Sequence, residues 1–421
     1  MPEYEKITFD NGFRLLFDYD ERAKSCSFGV WVGSGSCCEN DENMGISHFI
    51  EHMVFKGSEH YSSADIADVS DRMGGELNAY TDKECTCFYT RVLGGDVPKA
   101  LELIADMVTS PKLDPKELEL EKGVVCEEIA MYESNPADLC ADLFYLVAFP
   151  ESRLGKNILG TRESVKAMTS DKLRAYMQRF YSPCSTVACF CGNFDRDKVK
   201  NICEKYFSGS ECERREIGFP DARFCSGVHT FKKRTEQNQI IIGFPAPGLR
   251  SDSRFACQLI ASMLGGSVSS RLFRRLREEQ GLVYSVDASA SSYLSGGIFA
   301  VSMGVSRRSE KKAVLSAAEV LHDFPQTVTA EELELAREHY LSGLIMSLES
   351  SSARAARYGT GELLLGGAIS EKELEERIRN VKLDEIKELS RSFSSLSQAC
   401  ICAVGKTAGT KFYNKVVSGK K

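Results

Sequence analysis

No run of apolar residues in this 421-residue chain approaches the roughly 18 that a membrane-spanning helix requires. No basic stripe is present either. The 53 Lys and Arg are interspersed among 60 Asp and Glu, for a formal net charge of -7. That balance argues against a nucleic-acid or anionic-membrane surface. The opening MPEYEKITFDNGFRLLFDYD has neither the charged start and apolar stretch of a secretory signal nor an Arg-rich transit pattern. A cytoplasmic location is therefore expected. None of the 16 cysteines forms a Cys-x-x-Cys pair, which removes the usual support for thioredoxin-type and zinc-ribbon readings.

What is present is an ordinary globular composition, 43% hydrophobic and 27% charged, long enough for two domains with a core each. Several cysteines alternate along apparent strands: Cys85 and Cys87, Cys189 and Cys191, Cys400 and Cys402. Period-2 spacing points each pair to one sheet face, where a free cysteine behaves as a small hydrophobe. The polar segment 208–223, with Gly and Pro, is the best boundary, dividing the chain into 1–212 and 213–421.

The two parts read alike. In the first, the strand SCSFGVWVGSGS precedes a helix, a turn at Gly74 and Gly75, the strand pair ELNAYTDKECTCFYTRVL and the helix KALELIADMV. In the second, QNQIIIGFPAPG is followed by the helix DSRFACQLIASML, two further strands and the helix KKAVLSAAEVLHDF. Each part closes on a Cys-x-Cys strand ending in Gly, so a unit of about 200 residues is duplicated. Helix starts are punctuated by Asp114 with Pro115 and Glu117, Thr329 with Glu332, and Ser370 with Glu373. The expected fold is α+β: two duplicated domains, each a largely antiparallel sheet with helices packed on it.

Histidine is scarce, six in all, yet three lie between His48 and His60. The string His48-Phe49-Ile50-Glu51-His52 carries the chemistry. On a helix, residues i and i+4 share a face, so His48 and His52 can offer two nitrogens to one metal. Glu51 borders the same patch without having to bind, placed to take a proton from an activated water. Two histidines amid Phe49, Ile50, Met53, Val54 and Phe55 are costly to bury without a ligand.

A catalytic zinc usually has three protein ligands. The helix ELELEKGVVCEEIAMYE offers candidates: Glu121 and Glu128 lie two turns apart on one face, while Glu127 points about 100° away from Glu128. Because this helix is apolar on several sides, periodicity alone also allows a surface Glu127–Glu128 pair.

His-x-x-Glu-His inverts the commoner His-Glu-x-x-His and looks like the inverzincin signature. With GISHFIEHMVFKGS, GGELNAYTDKECTCFY, EKGVVCEEIAMYE, LGKNILGTRESV and SSRLFRRLREEQGLVYSV, the chain resembles the pitrilysin–insulysin–mitochondrial processing peptidase family over nearly its whole length. The resemblance implies a clamshell-like metallopeptidase with one zinc per chain, held by His48, His52 and Glu128, with Glu51 as base. It implies that Glu121 orients a ligand, leaving Glu127 as the fallback, and that Asn78 and Ala79 lie in the strand that pairs with an extended substrate. Arg277 and Tyr284 match a family pair that contacts substrate near the scissile bond; taken alone, they also read as a surface charge and a half-buried aromatic.

The second half reads FACQLIASMLGG where a metal helix would stand. Gly265-Gly266 is all that precedes Ser267, so the long glycine-rich loop of the non-catalytic processing-peptidase subunit is missing. The resemblance is therefore to short bacterial-type catalytic members, which assemble from two chains. The expectation is a zinc metalloendopeptidase acting on peptides or unfolded polypeptides, as a homodimer or as a heterodimer with a related chain, with neither nucleic acid nor membrane as partner. Two rivals stand beside it. One is a catalytically silent, structural or chaperone-like subunit; the other is a metal-dependent hydrolase of another class.

Overall fold

Eleven strands are described in two separate sheets. The structure, a computed structural model, describes residues 4–208 and 219–419. The first sheet contains β1 (Glu5–Thr8), β2 (Arg14–Tyr19), β3 (Ser25–Val32), β4 (Asn78–Thr81), β5 (Thr86–Leu93) and β6 (Thr186–Gly192), in the order β1-β2-β6-β3-β5-β4. The second contains β7 (Gly227–Lys232), β8 (Asn238–Ala246), β9 (Val283–Tyr293), β10 (Gly296–Val305) and β11 (Cys400–Gly405), in the order β7-β11-β8-β10-β9. Without β1, the two orders are the same: first, last, second, fourth, third. In each sheet only the first-to-last pair is parallel, β2 with β6 and β7 with β11. The expected α+β duplication is thus present down to strand order.

Eight of the described helices frame the two sheets and the site. In chain order they are α1 (Ile46–Val54), α2 (Val97–Thr109), α3 (Pro115–Ser134) and α4 (Pro136–Ala148), then α5 (Ser253–Gly265), α6 (Glu310–Thr327), α7 (Ala330–Leu348) and α8 (Ser351–Leu365). Two of the starts expected from sequence, those of α3 and α7, are capped as anticipated. Asp114 accepts the N–H groups of Lys116 and Glu117, and Thr329 and Glu332 bond reciprocally. No described helix is long and apolar enough to cross a membrane.

The boundary expected between residues 212 and 213 lies outside the described residues. Strands follow the two parts of the chain, but two helices are exchanged. Ala130–Gly155, with α4, belongs to the second structural unit, and Ile345–Glu371, with α8, belongs to the first. Accordingly α4 packs on β8 and β11, while α8 packs on β3 and β6.

A reciprocal fit of large and small residues accompanies this exchange. Phe144 is the ninth residue after the α4 cap Asn135, and Gly359 is the ninth after the α8 cap Ser350. Trp31 pairs with Val187, five residues before Gly192 (φ 123), and Gly243 pairs with Cys400, five before Gly405 (φ 132). The four positions correspond, with sizes inverted. In the first unit a Trp on the strand fills the space left by a helical Gly; a Cβ on Gly359 would sit 2.4 Å from the Trp31 ring. In the second unit a Phe on the helix fills the space left by a strand Gly; a Cβ on Gly243 would sit 2.1 Å from the Phe144 ring. Phe144 over Trp31 would clash, and Gly359 over Gly243 would leave a void, so each helix suits one sheet only.

The strand cysteines serve as packing. Cys87, Cys189, Cys191, Cys400 and Cys402 are fully buried free thiols, and Cys85 is nearly so. Cys184 differs, being disulfide-bonded.

The fit at Gly243 is open to a double-mutant cycle. Gly243→Ala should cost about 1–3 kcal/mol by overpacking and Phe144→Ala about 3–5 kcal/mol by cavity formation. Together they should cost at least about 1 kcal/mol less than the sum, measured by denaturant unfolding. Strict additivity would mean that the ring and the glycine do not constrain each other.

Candidate metal centre

The site is built on α1, which begins at Gly45. That residue has φ 82, and a Cβ there would lie 2.4 Å from the Leu159 carbonyl oxygen, so only glycine is accommodated. A glycine cannot cap with a side chain, and Glu39 does so instead. Its carboxylate accepts the N–H groups of Gly45 at 2.7 Å and Ser47 at 2.9 Å. Ile46, Phe49, Ile50, Met53 and Val54 anchor α1 in the core, leaving His48, Glu51 and His52 along its other side. Facing them is α3, whose buried positions Leu118, Glu121, Val125 and Ile129 follow helical spacing.

His48, His52 and Glu128 converge. Their ligand atoms all lie within 4.8 Å of one another. Glu128 Oε2 is 3.5 Å from His48 Nε2 and 3.4 Å from His52 Nε2. The edge of a tetrahedron with zinc bonds of 2.0–2.1 Å is about 3.3–3.4 Å, so these separations fit a small tetrahedral cation, and two imidazoles with one carboxylate suit zinc. Glu127 is exposed on the adjoining face and is not among these groups. His60 also stands apart, its Nδ1 2.7 Å from Asp106 Oδ1.

The electrostatics describe a place for positive charge. Burial and the neighbouring His52 push the His48 pKa down to about 4, against the pull of Glu128. At His52 burial opposes the cation, but Glu121 and Glu128 outweigh it and raise the pKa to about 9. The Glu128 carboxyl is held below its ordinary range, first by its hydrogen bond with His52. His52 Nδ1 meets Glu121 Oε1 at 2.8 Å, which leaves Nε2 turned toward Glu128. Burial raises the Glu51 pKa, while Thr81 and His52 act to lower it.

Asn78 and Ala79 lie on β4, which closes its sheet and pairs only with β5 among the described strands. Asn78 is exposed and Ala79 partly so. Arg277 and Tyr284 belong to the second unit, where they occur together. The Arg277 guanidinium lies 5.7 Å from the Tyr284 ring centroid and donates to the Tyr284 carbonyl. Arg277 sits in the last turn of a π-helical segment, Phe273–Glu279, and Tyr284 is 69% exposed.

Three contributors escaped the sequence reading. Lys56 binds Glu121 Oε2 at 2.7 Å, Thr81 Oγ1 donates to Glu51 Oε2 at 2.6 Å, and Glu39 starts α1. Lys56 follows His52 by one helical turn, so i+4 spacing was the signal available for it; the other two had none.

Comparison with known proteins adds an independent line. Residues 14–162 match the family model described as Insulinase (Peptidase family M16), and residues 167–340 match one described as Peptidase M16 inactive domain. The chain is 36% identical over 388 residues to the uncharacterized zinc protease YmxG of Bacillus subtilis, covering 92% of this chain and 95% of that one. It is 33% identical over 396 residues to an uncharacterized zinc protease of Streptomyces coelicolor, covering 92% and 86%. Among solved structures, a protease from Helicobacter pylori superposes with a TM-score of 0.89 at 19% identity, covering 96% of this chain and 99% of that one. A peptidase M16 inactive domain from Pseudomonas fluorescens gives 0.88 at 16%, covering 97% and 99%.

Glu39 provides a pH test of how α1 is held. Burial, the largest influence, pushes its pKa up to about 7 against the hydrogen bonds from Ser47 and Gly45. The unfolded value is about 4.3, so Glu39 contributes stability that is full below about pH 4.3 and is lost as pH rises through 7. The span is on the order of 3 kcal/mol. Glu39→Gln does not titrate. The melting temperature of the native protein should therefore rise relative to that of the variant as pH falls from 8 to 5, and a pH-independent difference would mean that burial does not raise the Glu39 pKa.

Proposed function

The chain belongs to the M16 peptidase family, and from that premise we propose that it is a zinc metalloendopeptidase hydrolysing peptides or unfolded polypeptides. What supports the reading is Glu128 Oε2 at tetrahedral-edge distances from both His48 Nε2 and His52 Nε2, the three groups converging within 4.8 Å, with Glu51 on the same helix and outside that group. Zinc would supply Lewis acidity there, polarising the scissile carbonyl and making water nucleophilic near neutral pH.

The chain's own side chains account for the rest. Glu51 takes a proton from the attacking water and delivers it to the leaving amine nitrogen. Glu121, supported by Lys56, orients the His52 ring through Nδ1. The free edge of β4 at Asn78 and Ala79 receives the substrate as an added strand, which selects extended or unfolded chains. Arg277 and Tyr284 donate hydrogen bonds to the substrate near the cleaved bond. In this reading residues 1–212 carry the metal chemistry and residues 213–421 a duplicated unit without it, since α5 reads FACQLIASML where α1 has His-x-x-Glu-His.

Metal analysis and peptide cleavage test the assignment. Native protein should hold about one zinc per chain, and His48→Ala and His52→Ala should lose it. Glu128→Gln should release zinc to a chelator far more readily than Glu127→Gln, because two imidazoles alone hold it poorly. Glu51→Gln should keep zinc but cleave peptides at least about 100–10,000-fold more slowly. Full activity in that variant would exclude Glu51 as the base.

A homodimer in which Arg277 serves the partner's metal site makes a further prediction. Glu51→Gln and Arg277→Ala chains, each weak or inactive alone, should regain activity when mixed, because one site then combines both intact residues. Subunit exchange would be verified with differential tags. Mixed dimers without regained activity would place Arg277 in its own chain's site or outside any site.

A further inference from the structure

Thr81 is the last residue of β4, the strand at the edge of the first sheet. Its cross-strand partner on β5 is Thr86, and α1 packs against both strands. The Thr81 hydroxyl donates to Glu51 Oε2 at 2.6 Å. Among the described residues no other hydrogen bond reaches Glu51. One carboxylate oxygen is therefore tied to β4 and the other is left to act.

The direction of that bond follows from the neighbouring hydroxyl. Thr86 Oγ1 donates its proton to the Ser34 carbonyl at 2.7 Å and lies 3.3 Å from Thr81 Oγ1. Thr86 thus has no proton for Thr81. The single Thr81 proton goes to the shorter contact and the charged acceptor, which is Glu51. A β-branched side chain on a strand has restricted χ1 freedom, so the hydroxyl is held where the backbone puts it.

Resting on the peptidase reading above, we propose that Thr81 is a positioning residue that sets the Glu51 carboxylate in register with the substrate strand. In that reading β4 aligns the peptide through its free edge at Asn78 and Ala79. The same strand, two residues on, ends in the hydroxyl that holds the base. Substrate backbone and proton acceptor are then referred to one short strand, and a shift along β4 moves both together. The arrangement matters because displacing a catalytic group by about 1 Å can cost on the order of 100-fold in rate.

The test uses Thr81→Val, which keeps shape and strand propensity but removes the donor, and Thr81→Ser, which keeps the donor, beside the native protein and Glu51→Gln. Thr81→Val should retain full zinc and a KM within about twofold of native, while kcat falls by about 10–100-fold. Thr81→Ser should recover kcat to within about threefold. Native kcat in Thr81→Val, a change confined to KM, loss of zinc, or equal defects in the Val and Ser variants would each overturn the proposal. A native chain inert toward peptides, or a fully active Glu51→Gln, would instead sink the peptidase reading. Crystal structures of the metal-free variants decide the positioning independently of activity. The Glu51 carboxylate should leave its native position in Thr81→Val and keep it in Thr81→Ser; an unmoved carboxylate in the Val variant would overturn the role.

Discussion

Two carboxylates held against two imidazoles on a largely apolar floor create a charge problem that organises the first unit. Glu121 and Glu128 project from the face of α3 that also carries the buried Val125, and together they outweigh the burial penalty on a cationic His52. Partly desolvated carboxylates persist only if paired. Here the partners are Lys56 for Glu121 and either a proton or a divalent cation among His48, His52 and Glu128. The surrounding devices keep this group in place. Glu39 fixes where α1 begins, Gly45 lets the chain approach the Leu159 carbonyl, and Thr81 holds the Glu51 carboxylate, which stays outside the cluster.

The second unit repeats the same strand order without that charge problem. Its helix α5 buries Phe255, Leu259, Ile260 and Leu264 and carries neither histidine nor carboxylate. The duplicated framework is therefore independent of the metal chemistry: the sheet topology survives in both units, while among the described residues the His–His–Glu cluster occurs in the first alone. Each unit takes one helix from the other part of the chain, and the inverted Trp31–Gly359 and Phe144–Gly243 pairs fit each helix to its receiving sheet.

Local chemistry made much of this legible from sequence alone. The i, i+4 spacing of His48 and His52 put both rings on one helix face, and the caps at Asp114 and Thr329 marked where α3 and α7 begin, because all of these act within a turn or two of chain. Alternating cysteines marked β6 and β11 because side chains on a strand alternate between faces. The likeness of the two parts was readable for the same reason, since order and spacing survive when identity does not.

Other features depend on which surfaces meet, and no periodicity records that. The sequence left Glu127 and Glu128 both open, because α3 has apolar residues around much of its circumference. Docking of the Glu121–Val125–Glu128 face against α1 separated them, exposing Glu127. The helix exchange was invisible because the size match between Phe144 and Gly243, or Trp31 and Gly359, is a property of pairs about 100 or more residues apart, each unremarkable alone. Thr81 and Glu39 likewise became contributors through contacts made across the fold. The sequence determined the elements and the chemistry they carry; packing complementarity, a non-local quantity, decided which of those groups face one another.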